Sequence, residues 1–412
     1  MHQSNHWEFL LSNQIHKKDF IDQLISGNAP AELLFLNTRK GILFSDLSIE
    51  KFIEKEFQYD IVASANSGRQ LRTFSSGERK KEFLKFCIDQ QPDFIIFDNP
   101  LDHLDHDSRL RLTQQIKDLS KDIIVIQLVN RKTDLFDFIP NKAQITKQDF
   151  QFEPINFDSD IHQSISQSKL PDPPERLPYF ENPLIQLDQV SVQYEDRKII
   201  SNIEWSINKG DFWQLIGPNG SGKSTILTLI NGDNAKGYGQ NLYLFGRKKG
   251  SGESVWDIKK NIGYYATAMT DLFQKSHTLE QMILSGFFDS IGLYNQPTTH
   301  QKILTAQWLE VLQMTALKKK IFNQLSIGQQ RVALIVRAVL KHPALLILDE
   351  PLEGLDDENA DLVIQLLNFL AEESAMAIIF VSHRIEKGLN PKSVFELIPT
   401  ENGSIGKIRT SN

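Results

Sequence analysis

Cysteine is almost absent from this 412-residue chain, which holds one, Cys87. That excludes an intrachain disulfide and any zinc site or metal cluster built from several thiolates of this chain, and it makes a reducing, cytoplasmic compartment the expectation. Long apolar runs are missing as well. Stretches such as 375–381 fall far short of the roughly 20 residues that a membrane-spanning helix needs, and residues 1–10 carry no basic region followed by a long apolar stretch. A soluble protein is expected, and any place at the inner face of a membrane would need a partner. Positive charge is in deficit, with 45 Lys and Arg against 52 Asp and Glu and a formal net charge of -7. The chain lacks the electrostatic footprint for a phosphate backbone, so nucleic acid is disfavoured as a partner. No long heptad run suggests a coiled-coil arm.

What is present is enough apolar material, 40% of residues, for well-packed cores, in a chain longer than one core usually fills, so two domains are expected. Between 151 and 183 the periodicity gives way to Asp, Ser, Gln and Pro, including Pro171-Asp172-Pro173-Pro174. This reads as a linker between domains at 1–150 and 184–412. On either side short apolar runs alternate with amphipathic stretches, as where Phe94 to Phe97 precede Ser108 to Leu119 and Ile123 to Leu128, the grammar of an α/β sheet. The halves also repeat. Phe74-Ser75-Ser76-Gly77-Glu78 falls on Leu325-Ser326-Ile327-Gly328-Gln329, and at the same offset of 251 the run 94–100 falls on 345–351.

The chemistry is concentrated in Gly217-Pro218-Asn219-Gly220-Ser221-Gly222-Lys223-Ser224-Thr225. It follows the apolar run 212–216 and precedes the helix-like 226–230, which is the strand-loop-helix setting of a phosphate-binding loop. Glycines let backbone N–H groups turn inward, and the helix start adds partial positive charge where the anion sits. Lys223 would meet the β- and γ-phosphates, and the Ser224 hydroxyl would ligate Mg²⁺. Leu345-Leu346-Ile347-Leu348-Asp349-Glu350 is an apolar strand ending in two carboxylates. Alone, such a pair is as often a helix cap as a catalytic dyad. Behind a phosphate loop, Asp349 is expected to hold Mg²⁺ through water and Glu350 to act as general base.

With the LSGGQ-like stretches, these residues resemble the ATP-binding-cassette family in both halves. The resemblance implies an α/β fold of the P-loop NTPase type with two tandem cassette domains, the N-terminal one truncated and degenerate, and hydrolysis of Mg-ATP to ADP and phosphate. It implies an adenine-stacking Tyr194, a signature at Leu325 to Gln329, a D-loop at Gly354-Leu355-Asp356 and a switch histidine, His383, on the γ-phosphate. It places Thr267 where the family has the Q-loop glutamine. Within the family the architecture is similar to soluble tandem cassettes named for molybdenum import and photorepair.

The N-terminal half is expected to have lost its own nucleotide site. Aligning Leu24-Ile25-Ser26-Gly27 with Leu229-Ile230-Asn231-Gly232, an offset of 205, puts Lys18 at the loop lysine, Ser12, Ile15 and Lys17 at the glycines, and Asp19 at the magnesium serine. The acidic strand there ends Asp98-Asn99, an amide in place of the base, and Asn130 takes the switch-histidine place. The chain begins almost at the loop strand, so no adenine-stacking segment is expected before it. The N-terminal signature is intact at Ser75, Gly77 and Glu78, whereas the C-terminal one has Ile327. Because the family pairs cassettes head to tail, one composite site is expected, C-terminal loop against N-terminal signature. Ser75 followed by Glu78 is also a capping box. For the output, a permease supplied by another gene, with molybdate-type transport, competes with a switch in repair or regulation that has no permease; self-association through C-terminal halves is a further arrangement.

Overall fold

The computed structural model describes residues 5–59, 70–147, 149–156, 169–174 and 178–410. Parts of the expected linker, 157–168 and 175–177, lie outside the described residues. Packing divides the chain into two compact units, Met1–Asp160 with Gly354–Asp357, and Ile161–Glu353 with Glu358–Asn412.

The first unit runs β1 (Trp7–Leu11), α1 (Lys17–Ile25), β2 (Gly41–Phe44), α2 (Asp46–Tyr59), α3 (Ser76–Asp89), β3 (Phe94–Asp98), α4 (His106–Leu119), β4 (Ile124–Val129) and β5 (Asn141–Ile145). Its strands form one parallel sheet in the order β2-β3-β4-β1-β5. Phe94 to Phe97 are wholly buried, because helices cover both faces and each strand must be apolar on both sides. One face packs Phe9, Phe20, Leu24 and Phe94; the other packs Phe44, Phe83, Phe97 and Ile116.

The second unit opens with β6 (Ile185–Tyr194), β7 (Arg197–Ile207) and β8 (Phe212–Ile216), followed by α5 (Lys223–Ile230), β9 (Asn241–Leu244), β10 (Arg247–Lys248) and α6 (Val255–Lys259). It continues through β11 (Ile262–Ala266), α7 (Leu279–Leu284), α8 (Thr299–Val311), α9 (Ile327–Val339), β12 (Leu345–Asp349), α10 (Asp357–Glu373), β13 (Ala377–Val381), β14 (Ser393–Ile398) and β15 (Ile405–Thr410). A four-stranded antiparallel sheet, β10-β9-β6-β7, accompanies a six-stranded one, β11-β12-β13-β8-β14-β15, parallel except for β15.

The first five positions of the larger sheet repeat the order of the first unit, with β11, β12, β13, β8 and β14 standing where β2, β3, β4, β1 and β5 stand. Register then corrects the alignment of the loops. Trp7 pairs with Ile126 and Asn141, and Trp213 pairs with Ile379 and Ser393, so β1 lies on β8 at an offset of 206, not 205. The slip matters because side chains alternate across a strand and one residue exchanges the faces: at 206, core-facing Phe9 falls on core-facing Leu215. Lys17 therefore falls on Lys223, each the first residue of its helix. The glycine positions hold Leu11, Gln14 and His16, and Lys18 takes the place of Ser224. The offset of 205 arose downstream, where α1 is one residue longer than α5 before Gly27 and Gly232, both left-handed.

Candidate active site

In the second unit β8 delivers the chain to the loop and α5 carries it away. Gly222, the residue before α5, has φ +97°. A Cβ there would also lie 2.6 Å from the Ile200 methyl, so only glycine fits. Lys223 folds back over the loop, donating to the carbonyls of Gly217 at 2.7 Å and Pro218 at 3.2 Å. Ser221 Oγ is buried without a protein hydrogen-bond partner.

Asn219, Gly220, Gly222, Lys223, Ser224, Thr225, Asp349, Glu350 and His383 line one cleft of about 430 Å³, joined by Arg197 and Ile199. Three segments of the sequence, the phosphate loop, the acidic strand end and His383, thus meet in one concavity at the carboxyl ends of parallel strands, where open α/β sheets bind ligands. Tyr194, at the end of β6, lines a neighbouring cleft of about 530 Å³ that shares Arg197, Ile199 and Gly220 with the first. Its hydroxyl accepts from Asn234 Nδ2 at 2.8 Å, which holds the ring at the surface, 43% exposed.

The acidic end of β12 is electrostatically loaded. Burial, and next the neighbouring Glu350 charge, push Asp349 up to about 6. Burial also works to raise Glu350, but the hydrogen bond and charge of His383, with help from Glu353 and Lys223, hold it below its ordinary value. His383 Nε2 contacts Glu350 Oε1, and His383 Nδ1 lies 3.5 Å from Lys223 Nζ. Glu350 itself has φ +54°, a left-handed backbone rarely adopted by residues other than glycine, Asn and Asp. These donors suit Mg-ATP: Ser224 and Asp349 face one cleft, Asp349 carries a charge that burial makes costly and a cation would relieve, and Ser221 Oγ lacks a protein partner.

The corresponding place in the first unit is filled by its own side chains. Lys17 Nζ donates to Asp98 Oδ1 at 2.7 Å and to Asn130 Oδ1 at 3.0 Å. Asn99 Nδ2 donates to the same Asn130 oxygen at 2.7 Å, and Asn130 Nδ2 donates to the Leu11 carbonyl at 2.9 Å. Lys18, expected at the loop lysine, is exposed instead. Asn99 keeps the left-handed turn of Glu350, with φ +44°.

Both signatures are helix starts. Ser75 caps α3 and Ser326 caps α9, each in a capping box with Glu78 or Gln329, and Ser75 is exposed. The second glycine of each has a packing reason. A Cβ on Gly77 would lie 3.0 Å from Ser108 Oγ, and one on Gly328 would lie 2.0 Å from Asn359 Oδ1. Ile327 is 43% exposed. Thr267 follows β11 and engages Glu350 and Arg331. Sequence reasoning passed over Arg331 and Arg197. Arg331 left one signal, a charged residue within the apolar face of α9; Arg197 left none.

The family profile described as ABC transporter matches residues 200–353. The ABC transporter ATP-binding protein ModF of Escherichia coli (strain K12) is 40% identical over 337 residues, 77% of this chain and 68% of that one. The molybdate import ATP-binding protein MolC of Haemophilus influenzae is 27% identical over 229 residues, 55% of this chain and 84% of that one. Among solved structures, the archaeal ribosome recycling factor aABCE1, in complex with the ribosomal stalk protein aP1, aligns with 98% of this chain and 85% of its own at a TM-score of 0.62 and 16% identity, a likeness of fold. No helix among the described residues is long and apolar enough to cross a membrane. With an α/β P-loop fold of the cassette type, a phosphate loop and an acidic strand in place, the chain belongs to the ABC ATPase family and is an ATPase.

Proposed function

We propose that the chain hydrolyses ATP at one composite site, with nucleotide held by Gly217 to Thr225 of the second unit and closed by Ser75, Gly77 and Glu78 of the first. The observation that carries this reading is the opposite fate of two equivalent loops. Lys223 heads a glycine-lined cleft, whereas Lys17 is already paired with the Asp98 carboxylate and hydrogen-bonded to Asn130. The first unit retains an exposed Ser75 at a helix start, where backbone N–H groups and the helix dipole favour an anion.

Each residue's part follows from its position. Tyr194 offers its ring to adenine. Lys223 exchanges the loop carbonyls for β- and γ-phosphate oxygens, a stronger charge-assisted bond. Ser224 and Asp349 would hold Mg²⁺, which when bound neutralises phosphate charge. Glu350, kept ionised by His383, accepts the proton of the attacking water, and His383, positioned by the same contact, donates toward the γ-phosphate. ATP and the metal it carries are the ligands this set fits.

Comparing turnover of the wild type with Glu350→Gln and Ser75→Arg tests the reading. Loss of turnover in both, with about one ATP retained per chain by Glu350→Gln, supports it. Full activity in Ser75→Arg overturns it in favour of self-association through C-terminal halves. As the ATP-binding component of an ABC system, the chain would act in the cytoplasm with a permease from another gene, and likeness to a molybdate import ATPase makes molybdate-type transport the transport reading. The second reading, a switch in repair or regulation without a permease, is favoured by Thr267, whose hydroxyl is engaged inside the unit. Recovery of the protein in the membrane fraction on gentle lysis would decide for transport.

A further inference from the structure

Thr267 occupies a defined node. The parallel ladder pairs Ala266 with Asp349, so the next residues of the two strands, Thr267 and Glu350, arrive side by side. Thr267 Oγ1 donates to the Glu350 carbonyl at 2.6 Å and accepts from Arg331 Nη1 at 2.6 Å. The other arm of the guanidinium, Nη2, donates to the Glu353 carbonyl at 3.0 Å, and the guanidinium lies over the Tyr265 ring with its central carbon 5.6 Å from the centroid. Arg331 is buried, 6% exposed. Glu353 N–H closes the turn by donating to the Glu350 carbonyl at 3.2 Å.

We infer that Thr267 and Arg331 form a positioning pair that holds the backbone of Glu350 in its left-handed conformation and so aims the carboxylate. The inference rests on the proposed role of Glu350 as base. A residue bearing a side chain at φ +54° persists only when its surroundings over-determine it; here the Glu350 carbonyl is gripped by a hydroxyl and an amide, and the hydroxyl is fixed by an arginine whose other arm holds the Glu353 carbonyl at the far end of the turn. Threonine at this place is thus more than a missing glutamine. Its hydroxyl does not reach into the nucleotide cleft as a ligand; it acts through the main chain of the residue beside it. Neither residue touches the reacting atoms, so their effect belongs to the geometry of attack and not to nucleotide affinity.

The test uses the full chain and steady-state ATP turnover of Thr267→Val, Thr267→Ser, Arg331→Lys and Glu350→Gln, with melting temperatures alongside. Valine keeps the shape of threonine without its hydroxyl, and lysine keeps the charge of arginine without its fork. The expected result is a kcat reduced about tenfold to a hundredfold in Thr267→Val and Arg331→Lys with KM for ATP within about twofold, and rescue by serine to within about threefold. Wild-type kcat in Thr267→Val, beside an inactive Glu350→Gln, overturns the pair while leaving the base assignment standing. A joint fall in kcat, ATP affinity and melting temperature that serine does not rescue overturns it too, as packing alone. Full turnover in Glu350→Gln would instead remove the base assignment on which the pair depends.

Discussion

At the scale of single residues, backbone conformation and burial decide which substitutions inform. Gly222→Ala should abolish ATP retention, because its positive φ and the Ile200 methyl both exclude a Cβ, and it should lower stability by about 1–2 kcal/mol for the left-handed backbone alone; ATP retention and a melting curve read both effects. Gly77 is a poor probe of nucleotide contact, since its Cβ would press on Ser108 Oγ. Ser75 is the better one, being exposed. Glu8 gives a pH-dependent outcome. Its carboxyl is wholly buried on β1, and burial pushes it from 4.5 up to about 7, against the pull of Lys142 and the Phe136 N–H. The folded state therefore holds a proton that the unfolded state releases. The stability this contributes is fully present below about 4.5 and is lost as pH rises through about 7. The melting temperature of the wild type should fall relative to Glu8→Gln between pH 5 and 8; parallel curves would show that Glu8 titrates as in the unfolded chain.

At the scale of elements, the strand-loop-helix of the second unit was legible because Gly217 to Thr225 are contiguous and chemically specific. The acidic strand and the helix starts at Ser75 and Ser326 were legible through a shared offset of 251, which β3 beside β4 and β12 beside β13 keep. The degenerate loop was misread by one residue. Leu24-Ile25-Ser26-Gly27 carried the alignment, and the extra residue of α1 lies between that anchor and the loop, where only strand register reveals it. The Thr267–Arg331 contact was not legible, because it joins residues far apart in the chain that meet only where α9 packs against β11. Lys17→Met follows from the corrected alignment. It leaves Asp98 without its cation and should cost the first unit about 1–3 kcal/mol while ATP turnover stays at the wild-type value, read by denaturant unfolding beside a turnover assay. A fall in turnover with unchanged stability would mean that Lys17 serves the reaction.

At the scale of the whole molecule, one strand order is used twice with unequal chemistry. The order β2-β3-β4-β1-β5 and its counterpart in the second unit place the ends of the first, third and fourth strands at the same edge, yet only one edge carries a glycine loop. If hydrolysis belongs to one site, ATP titration of Glu350→Gln should saturate at about one nucleotide per chain, and the same stoichiometry should hold after Lys17→Met; two per chain would restore a site to the first unit.

The turn after β3 has a wider bearing. Asn99 holds the left-handed shape of Glu350, and His103, with φ +60°, holds that of Gly354, with φ +70°. Shape and chemistry are separable here: the joint between strand and helix follows the same path whether it carries a carboxylate or an amide. Superposed on this turn alone, the backbone counts two such ends and the side chains count one carboxylate; the loops before α1 and α5 do not share it, since His16 has φ −72° where Gly222 has +97°.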